Sequence, residues 1–355
     1  MKKVCISTYC EWSSYGSVLQ AMGLKQALQE IGCESFIVKD SPAPVAQKYF
    51  PFRVCTNPKV LLNEIRNICV RRKKDILYRN SVEFIHRYVD IRYYNDFETL
   101  CKNIPYADYY IAGSDQIWHP NLCKKAFFLD FLPLDKKRFS YAASMGIENI
   151  PKEVEPRFHK LISKMDTISV RETDAAETIR QYTDKPICRH IDPTFLADKT
   201  FWRQFQKEYL IKNSYILVYA IYWDVKYNKE LKELHKKTGY DIVALCPGGR
   251  TKVWANKKIY DADPGQFLYL IDHAQAIISS SFHGVALSIN FNKKIAAIIN
   301  PKAPSRLTTL LNILEIKERS IAEVMQFDLS EYAQINQKIE LEKQASMRYL
   351  KEVLK

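Results

Sequence analysis

Short apolar runs alternate with amphipathic stretches along most of this chain. The first run, Val4–Ser7, is followed by residues 18–28, where apolar side chains recur at helical spacing, and a second run covers Ser35–Val38. This order predicts a helix between two buried strands. Gly32 fits the C-terminal end of that helix. The chain therefore opens with a strand–helix–strand unit, which is typical of a parallel sheet.

Three further strands are predicted in the first half of the chain, at Tyr109–Ala112, Phe139–Ala143 and Thr167–Val170. Small or polar residues follow each of them. Because the carboxyl ends of parallel strands meet at one edge of the sheet, the three loops are expected to converge there. Ligands bind at that edge in open α/β sheets.

The alternation restarts at a strand over residues 216–221, after a polar stretch, Trp202–Asn213, that is predicted to be helical. The elements predicted next are helix 225–237, strand 241–245, helix 264–273, strand 276–279, a helix carrying His283, strand 295–299 and a helix near 305–315. The predicted fold class is α/β, with two Rossmann-like domains facing a cleft. We expect an N-terminal domain over residues 1–200, a C-terminal domain over 201–325, and a final helix within 326–355 that packs back on the first domain.

One strand–helix junction carries candidate chemistry. The apolar run Ala276–Ile278 leads into three serines, and His283 follows where the next helix begins. Serines cap helices, and the free N–H groups at a helix start bind phosphate or carboxylate. A histidine there can move a proton beside a bound anion. Taken alone, the pattern fits an ordinary junction with a hydrogen-bonded histidine equally well.

The charge indicates an anionic partner. The chain has 53 Lys and Arg against 40 Asp and Glu, a formal net charge of +13, which fits nucleic acid, a phosphorylated metabolite or an acidic membrane surface. Residues 59–90 are predicted to be helical and are strongly basic. They are read as a solvated helix pair at the rim of the domain; the alternative is a patch that rests on anionic lipid.

Cysteine spacing and hydropathy bear on location. The nine cysteines form no C-x-x-C pair, which gives no support to a zinc or redox motif and is typical of reduced thiols in the cytosol. No apolar run is long enough to span a bilayer. We expect a cytoplasmic protein without a bound metal, either free or peripheral on the inner face of the membrane.

Several motifs, in their order, resemble those of polysaccharide pyruvyl transferases. They are Tyr15–Ala21, Gly113–Trp118, Phe128–Phe131, Ser140–Ser144, Ile168–Glu172, Asp192–Thr194 and Ser281–Gly284. The resemblance covers about residues 8 to 316. It implies a fold similar to the glycosyltransferase-B arrangement and transfer of pyruvate from phosphoenolpyruvate to a sugar, with a cyclic ketal formed and phosphate released. Phosphoenolpyruvate is then a co-substrate, and no cofactor is implied.

The resemblance also suggests roles for single residues. His283 becomes the proton donor or a phosphate contact, and Asp115 becomes the base or orients acceptor hydroxyls. The residues expected on the donor side are Arg171, Ser281, Phe282, Gly284, Lys302 and Arg306. Those expected on the acceptor side are Tyr15, Gly16, Ser114, Gln116 and Trp118.

Each role has a structural alternative. Arg171 could form a surface ion pair with Glu172, and Asp115 could cap a turn. Trp118 could stack on a sugar or pack in the core. Lys302 and Arg306, which stand in a loop entering a helix, could be rim charges.

Two positions depart from the family pattern. Many relatives have Arg-Leu-His where this chain has Ser281-Phe282-His283, so an arginine expected to contact the donor is missing. Either Arg306 or Lys302 replaces it, or this branch uses another donor. Ser14 also stands where many relatives have asparagine.

The sequence observations suggest three functions. The leading hypothesis is a ketal pyruvyltransferase acting on a lipid-linked saccharide precursor of a cell-surface polysaccharide. The alternative is a glycosyltransferase of the same architecture that uses a nucleotide sugar. A nucleic-acid-binding protein would explain the charge, but the ordered motifs at one sheet edge argue against a nucleic-acid partner.

Overall fold

The computed structural model describes residues 1–44, 58–120, 123–147, 149–249 and 251–355, with the side chains of 58–71 left aside. The first sheet contains β1 (Lys2–Ser7), β2 (Cys33–Lys39), β3 (Ile91–Tyr93), β4 (Tyr109–Ala112) and β5 (Phe139–Ser140). A two-stranded sheet contains β6 (Ile168–Val170) and β7 (Ile187–Arg189). The second large sheet contains β8 (Tyr215–Tyr219), β9 (Asp241–Leu245), β10 (Lys257–Ile259), β11 (Ala276–Ser279) and β12 (Lys294–Ala297).

The helices lie between these strands and after them. They are α1 (Tyr15–Glu30), α2 (Pro58–Tyr88), α3 (Phe97–Lys102), α4 (Glu155–Ile162), α5 (Thr173–Ile179), α6 (Lys199–Arg203), α7 (Tyr227–Thr238), α8 (Pro264–His273), α9 (Phe282–Asn290), α10 (Ser305–Ile313) and α11 (Tyr332–Val353). In the part of the chain described, none of them is long and apolar enough to cross a membrane.

Both large sheets are parallel and share one strand order. The first runs β3-β2-β1-β4-β5 and the second runs β10-β9-β8-β11-β12. Isolated bridges, such as Ala143 to Val170, carry the first sheet on to β6. The predicted α/β class with two Rossmann-like units is confirmed.

The predicted elements differ from the structure where local geometry overrides the pattern. The strand predicted over Phe139–Ala143 ends at Ser140, because Ala142 has a φ of +47° and leaves the extended conformation. The basic stretch 59–90 forms one helix, α2, and not a helix pair. In the stretch Trp202–Asn213, the helix ends at Arg203. The short edge strands β3 and β10 were not predicted.

Helix α1 packs between the two large sheets. Every residue from Tyr15 to Leu24 is buried, so this helix has no solvated face in its first half. The Tyr15 hydroxyl donates to the Ala262 carbonyl at 2.7 Å, and its ring stacks on Phe267 with centroids 4.6 Å apart. One continuous apolar core therefore contains residues of both sheets.

The segment that leads from β7 to α6 is also held from both sides. The side-chain amide of Asn290 donates to the carbonyls of Thr194 and Ala197 at 2.9 and 2.8 Å. A Cβ on Gly23 of α1 would lie 2.3 Å from the Pro193 carbonyl oxygen. Only glycine allows α1 to approach this backbone so closely.

Helix α11 contacts both halves of the molecule. The Tyr349 hydroxyl donates to the Ser140 carbonyl at 2.7 Å, and the Tyr332 hydroxyl donates to the Lys293 carbonyl at 2.6 Å. After α11, the Leu354 carbonyl accepts from the Lys2 ammonium at 2.9 Å. The end of this chain is therefore tied to β1 as well as to the second sheet.

We expect Tyr349→Phe to lower the free energy of unfolding by about 1–2 kcal/mol, because the buried Ser140 carbonyl loses its donor. Urea unfolding measures the difference. The matched control is Tyr106→Phe, which removes a hydroxyl that is bonded to exposed Asp108 and should change stability by less than about 0.5 kcal/mol. Equal effects of the two substitutions would contradict the prediction.

Candidate active site

Charged side chains from five segments meet where the carboxyl ends of the sheets face each other. Asp115 follows β4, Asp192 follows β7, and Arg171 and Glu172 follow β6. His283 and Arg306 lie in the first turns of α9 and α10. These six residues, Asp115, Arg171, Glu172, Asp192, His283 and Arg306, are here named the junction cluster.

Arg171 is held between two buried carboxylates. Its Nε donates to Glu172 Oε1 at 3.1 Å and its Nη1 donates to Asp192 Oδ2 at 2.7 Å. Burial alone would lower the pKa of Arg171, but the two carboxylates outweigh it and raise that pKa. The guanidinium carbon lies 3.9 Å from the centre of the Phe282 ring. The ion pair with Glu172 that was the alternative reading exists, but in the interior and not on the surface.

Asp192 receives hydrogen bonds on both oxygens. Oδ1 accepts from the backbone N–H and the hydroxyl of Thr194, at 3.0 and 2.8 Å. Oδ2 accepts from Arg171 and lies 3.3 Å from Ser114 Oγ and 3.4 Å from His283 Nε2. Burial opposes ionisation, yet His283, Arg171 and the Thr194 N–H hold the pKa of Asp192 well below its usual range. These charges and hydrogen bonds therefore favour the ionised form of Asp192.

Buried hydroxyls support the carboxylates of the cluster. Ser144 Oγ donates to Glu172 Oε1 at 2.6 Å, and Ser114 Oγ donates to the Ala142 carbonyl at 2.7 Å. Ser114 has no exposed surface. It was predicted to bind the acceptor, but it lies beneath the cluster, next to Asp192, where a saccharide does not reach it.

His283 is placed by two close packing contacts. Ser281 caps α9 by accepting from the Gly284 N–H at 3.3 Å. A Cβ on Gly284 would lie 2.4 Å from Ser279 Oγ, so α9 sits directly on β11. A Cβ on Gly16 would lie 2.1 Å from His283 Nδ1. The imidazole is therefore enclosed between the first turn of α1 and Asp192, and 9% of its surface is exposed.

Asp115 has an unusual backbone. Its φ of +70° is in the left-handed region, which aspartate tolerates better than most residues. Its carbonyl accepts from the N–H groups of Ile117 and Ser144, and this fixes the loop. The half-buried carboxylate contributes to the electrostatic environment of Arg171 and Arg306. The turn geometry that was the alternative reading is present, and the carboxylate still faces the cluster's charges.

Two aromatic residues predicted to bind the acceptor lie in the core instead. Trp118 has no exposed surface, its indole N–H donates to the Phe127 carbonyl at 3.1 Å, and its ring stacks on Phe128. Tyr15 is 1% exposed and joins the two halves through Ala262. Their faces are covered by protein, so neither offers a platform for a sugar ring. Gln116 is half-buried and packs over Gly146.

The two cations of the loop before α10 have different positions. Lys302 is exposed and is not part of the cluster. Arg306 is half-buried and close enough to Arg171 and Glu172 to interact electrostatically, and burial lowers its pKa. It lines a cavity of ≈ 40 Å³ together with Tyr222, Ser280, Phe282 and Asn300.

Polar atoms within the cluster lack partners among the described residues. They are Arg171 Nη2, Glu172 Oε2, His283 Nε2 and Arg306 Nε. Buried polar groups are almost always hydrogen-bonded in folded proteins. Asp192 Oδ2 lies 3.4 Å from His283 Nε2, which leaves Arg171 Nη2, Glu172 Oε2 and Arg306 Nε as the atoms that could bind a ligand. The set offers donors to an anion and one carboxylate oxygen to a hydroxyl.

Sequence reasoning missed the parts played by Glu172 and Asp192. Both stand just after short strands, as Asp115 does, and that position was the signal that could have found them.

Within the described ranges, no three histidine, cysteine or acidic side chains are grouped so that they could bind a metal ion.

The fold is the two-domain glycosyltransferase-B arrangement, and the junction cluster lies between its two Rossmann-like units. The family model for polysaccharide pyruvyl transferase matches residues 15–301. The chain belongs to this family of transferases.

Solved structures with this fold are distant in sequence. UDP-GlcNAc 2-epimerase from Neisseria meningitidis, bound to UDP-GlcNAc, is 12% identical with a TM-score of 0.50, over 98% of this chain and 94% of that one. A putative UDP-N-acetylglucosamine 2-epimerase from Listeria monocytogenes is 12% identical with a TM-score of 0.50, over 95% and 90%. These likenesses concern the fold alone. Comparison with curated protein sequences gave no match.

We expect Gly16→Ala to destabilise the protein by about 1–3 kcal/mol, because the added methyl group overlaps the His283 ring. Calorimetric unfolding measures the loss. In a His283→Ala background the same substitution should cost less, since the ring is gone. Gly248→Ala is the matched control, because a Cβ there meets nothing within 4 Å. The same cost of Gly16→Ala with and without the imidazole would contradict the contact.

Proposed function

We propose that this protein is a ketal pyruvyltransferase that uses phosphoenolpyruvate and two hydroxyls of a sugar in a polysaccharide precursor. The observation that carries the proposal is the group of unpartnered buried atoms on Arg171, Glu172 and Arg306. Guanidinium groups are the preferred partners of carboxylate and phosphate, and phosphoenolpyruvate carries both. Membership of the family supports the same reaction.

The proposed reaction assigns one task to each group. His283 donates a proton to the methylene carbon, and the C2 carbon that becomes electron-poor is attacked by a sugar hydroxyl while Asp115 accepts its proton. The C2–O bond to phosphate then breaks, and a second hydroxyl closes the ketal. Of the two hydroxyl protons, one restores His283 and the other leaves with phosphate.

Arg306 is the proposed replacement for the arginine missing at Ser281. Arg171 has one free nitrogen, because Glu172 and Asp192 engage the other two. Arg306 has no ion-pair partner among the described side chains, and its Nε is enclosed without a hydrogen bond. The N–H groups that open α9 and α10 add favourable dipoles for the same anion.

We expect calorimetric titration to show saturable binding of phosphoenolpyruvate that is weakened about 10- to 100-fold by Arg306→Ala, as for loss of a charged hydrogen bond. Arg157→Ala, which removes an exposed arginine of α4, is the matched control and should bind normally. UDP-GlcNAc is titrated in parallel. Binding of UDP-GlcNAc alone would favour the glycosyltransferase reading, and binding of neither would contradict donor binding by the free protein.

The further part of the proposal is a lipid-linked acceptor at the inner face of the membrane. The described part of α2 exposes Arg72, Arg79 and Ile76, with Lys74 half-buried beside them. Lys73 is engaged differently, because its Nζ lies 4.0 Å from Asp261 and near the Tyr260 ring. Arg66 and Arg71 lie outside the described side chains. A basic helix with an exposed apolar residue suits an anionic lipid surface.

We expect the double variant Arg72→Gln/Lys74→Gln to bind vesicles of anionic phospholipid about 10-fold less tightly or weaker, since each basic residue contributes roughly 1 kcal/mol near such a surface. Co-sedimentation at low salt measures the binding. Lys229→Gln/Lys236→Gln on exposed positions of α7 is the matched control. Equal binding by both double variants would leave α2 as ordinary solvated surface.

A further inference from the structure

Asp192 and His283 come from different halves of the molecule and meet at the junction. Asp192 stands in the segment between β7 and α6, and His283 opens α9 on the second sheet. Their nearest atoms, Oδ2 and Nε2, are 3.4 Å apart. On its other side, the imidazole ring packs closely against Gly16, which lies next to Nδ1.

The carboxylate is held far more firmly than the imidazole. Thr194 and Arg171 hold Asp192 by three hydrogen bonds of 2.7–3.0 Å. Its side chain has no exposed surface, so it does not itself reach a ligand. His283 makes no hydrogen bond through Nε2, although that atom is buried. The one fixed acceptor beside Nε2 is therefore Asp192.

We propose that Asp192 is the positioning residue for His283: it orients the imidazole across the junction and keeps a proton on Nε2 of the neutral ring. The inference deepens the proposed function and rests on it for the role of His283. The low pKa of Asp192 agrees with it, because an ionised carboxylate favours a proton on the ring nitrogen that faces it. A histidine tautomer is set by the partner of its other nitrogen.

Other charges around His283 act on the same ring. Arg171 donates to Asp192 Oδ2, the same oxygen that lies nearest to His283 Nε2, and Arg306, Glu172 and Asp115 complete the cluster. The first turn of α9 adds a dipole that disfavours the imidazolium. Helix α1 contributes no charged side chain in its buried first half. Of the three carboxylates in the cluster, Asp192 alone lies within 4 Å of an imidazole nitrogen among the described residues.

The pairing itself is tested on the ligand-free protein, with no assumption about its reaction. Nitrogen-15 NMR of histidine side chains, assigned with His283→Gln, reports which ring nitrogen carries the proton. We expect the neutral ring to carry it on Nε2 in the wild type, and a mixture of tautomers in Asp192→Asn. A proton on Nδ1 in the wild type, or a tautomer ratio that Asp192→Asn leaves unchanged, would overturn the inference.

The consequence for turnover is tested with phosphoenolpyruvate and a saccharide acceptor. Asp192→Asn should lower kcat by roughly 10²-fold, the usual contribution of a placed proton donor, with a smaller effect on KM. Asp198→Asn, a helix-capping carboxylate of the same segment outside the cluster, should behave as wild type.

A double-mutant cycle separates positioning from a structural role. If Asp192 acts through the imidazole, adding Asp192→Asn to His283→Gln should change kcat less than about twofold. If the losses of kcat in the two single variants multiply in the double variant, the inference is overturned. Absence of any turnover in the wild type would count against the proposed function, while the NMR arm would still decide the pairing. Should Asp192→Asn fail to fold, as circular dichroism would show, the wild-type tautomer alone would decide it.

Discussion

The arrangement of this molecule depends on one buried guanidinium. Arg171 joins Glu172, Asp192 and the Phe282 ring, and through them it connects β6, the segment after β7 and the start of α9. Breaking a buried ion pair by removing one partner typically costs 3–5 kcal/mol, because the remaining charge is uncompensated. Removing Arg171 would leave the carboxylates of Glu172 and Asp192 without their cationic partner. Arg171 is thus a structural residue first, and only its free Nη2 remains for a ligand. Counted together, the cluster has three carboxylates and two guanidiniums, so an incoming anion depends strongly on Arg306 and on helix dipoles.

The second constraint is the burial of α1 between the sheets. Three positions of α1 contact the second half of the molecule or the segment between β7 and α6. The Tyr15 hydroxyl donates to Ala262, Gly16 packs against His283, and Gly23 packs against Pro193. Because one apolar core includes residues of both sheets, a wide rigid-body opening of the two halves would expose much of that core. The cavity beside Arg306 is small, and its walls come from loops after β8, β11 and β12.

The sequence predicted the fold better than it predicted the site. Strand 241–245 and helix 264–273 are found where the apolar pattern put them, because their burial is periodic and their ends are marked by Gly239 and Asp263. The junction of β11 with α9 was also foreseen. Trp118 is buried in the core, which was one of its two predicted positions, and the motif could not decide between them because it does not say which side of a sheet edge an aromatic ring faces. The pairing of Asp192 with His283 joins residues far apart in the chain, and no local pattern encodes such a contact.

The last helix has a consequence for how the chain is completed in the cell. Its residues bind the Ser140 carbonyl, the Lys293 carbonyl and, just beyond it, the Lys2 side chain. During vectorial synthesis, β1 leaves the ribosome before α11 does, because 352 positions separate Lys2 from Leu354. Until then the carbonyl that Tyr349 will cover stays open to water and to other chains.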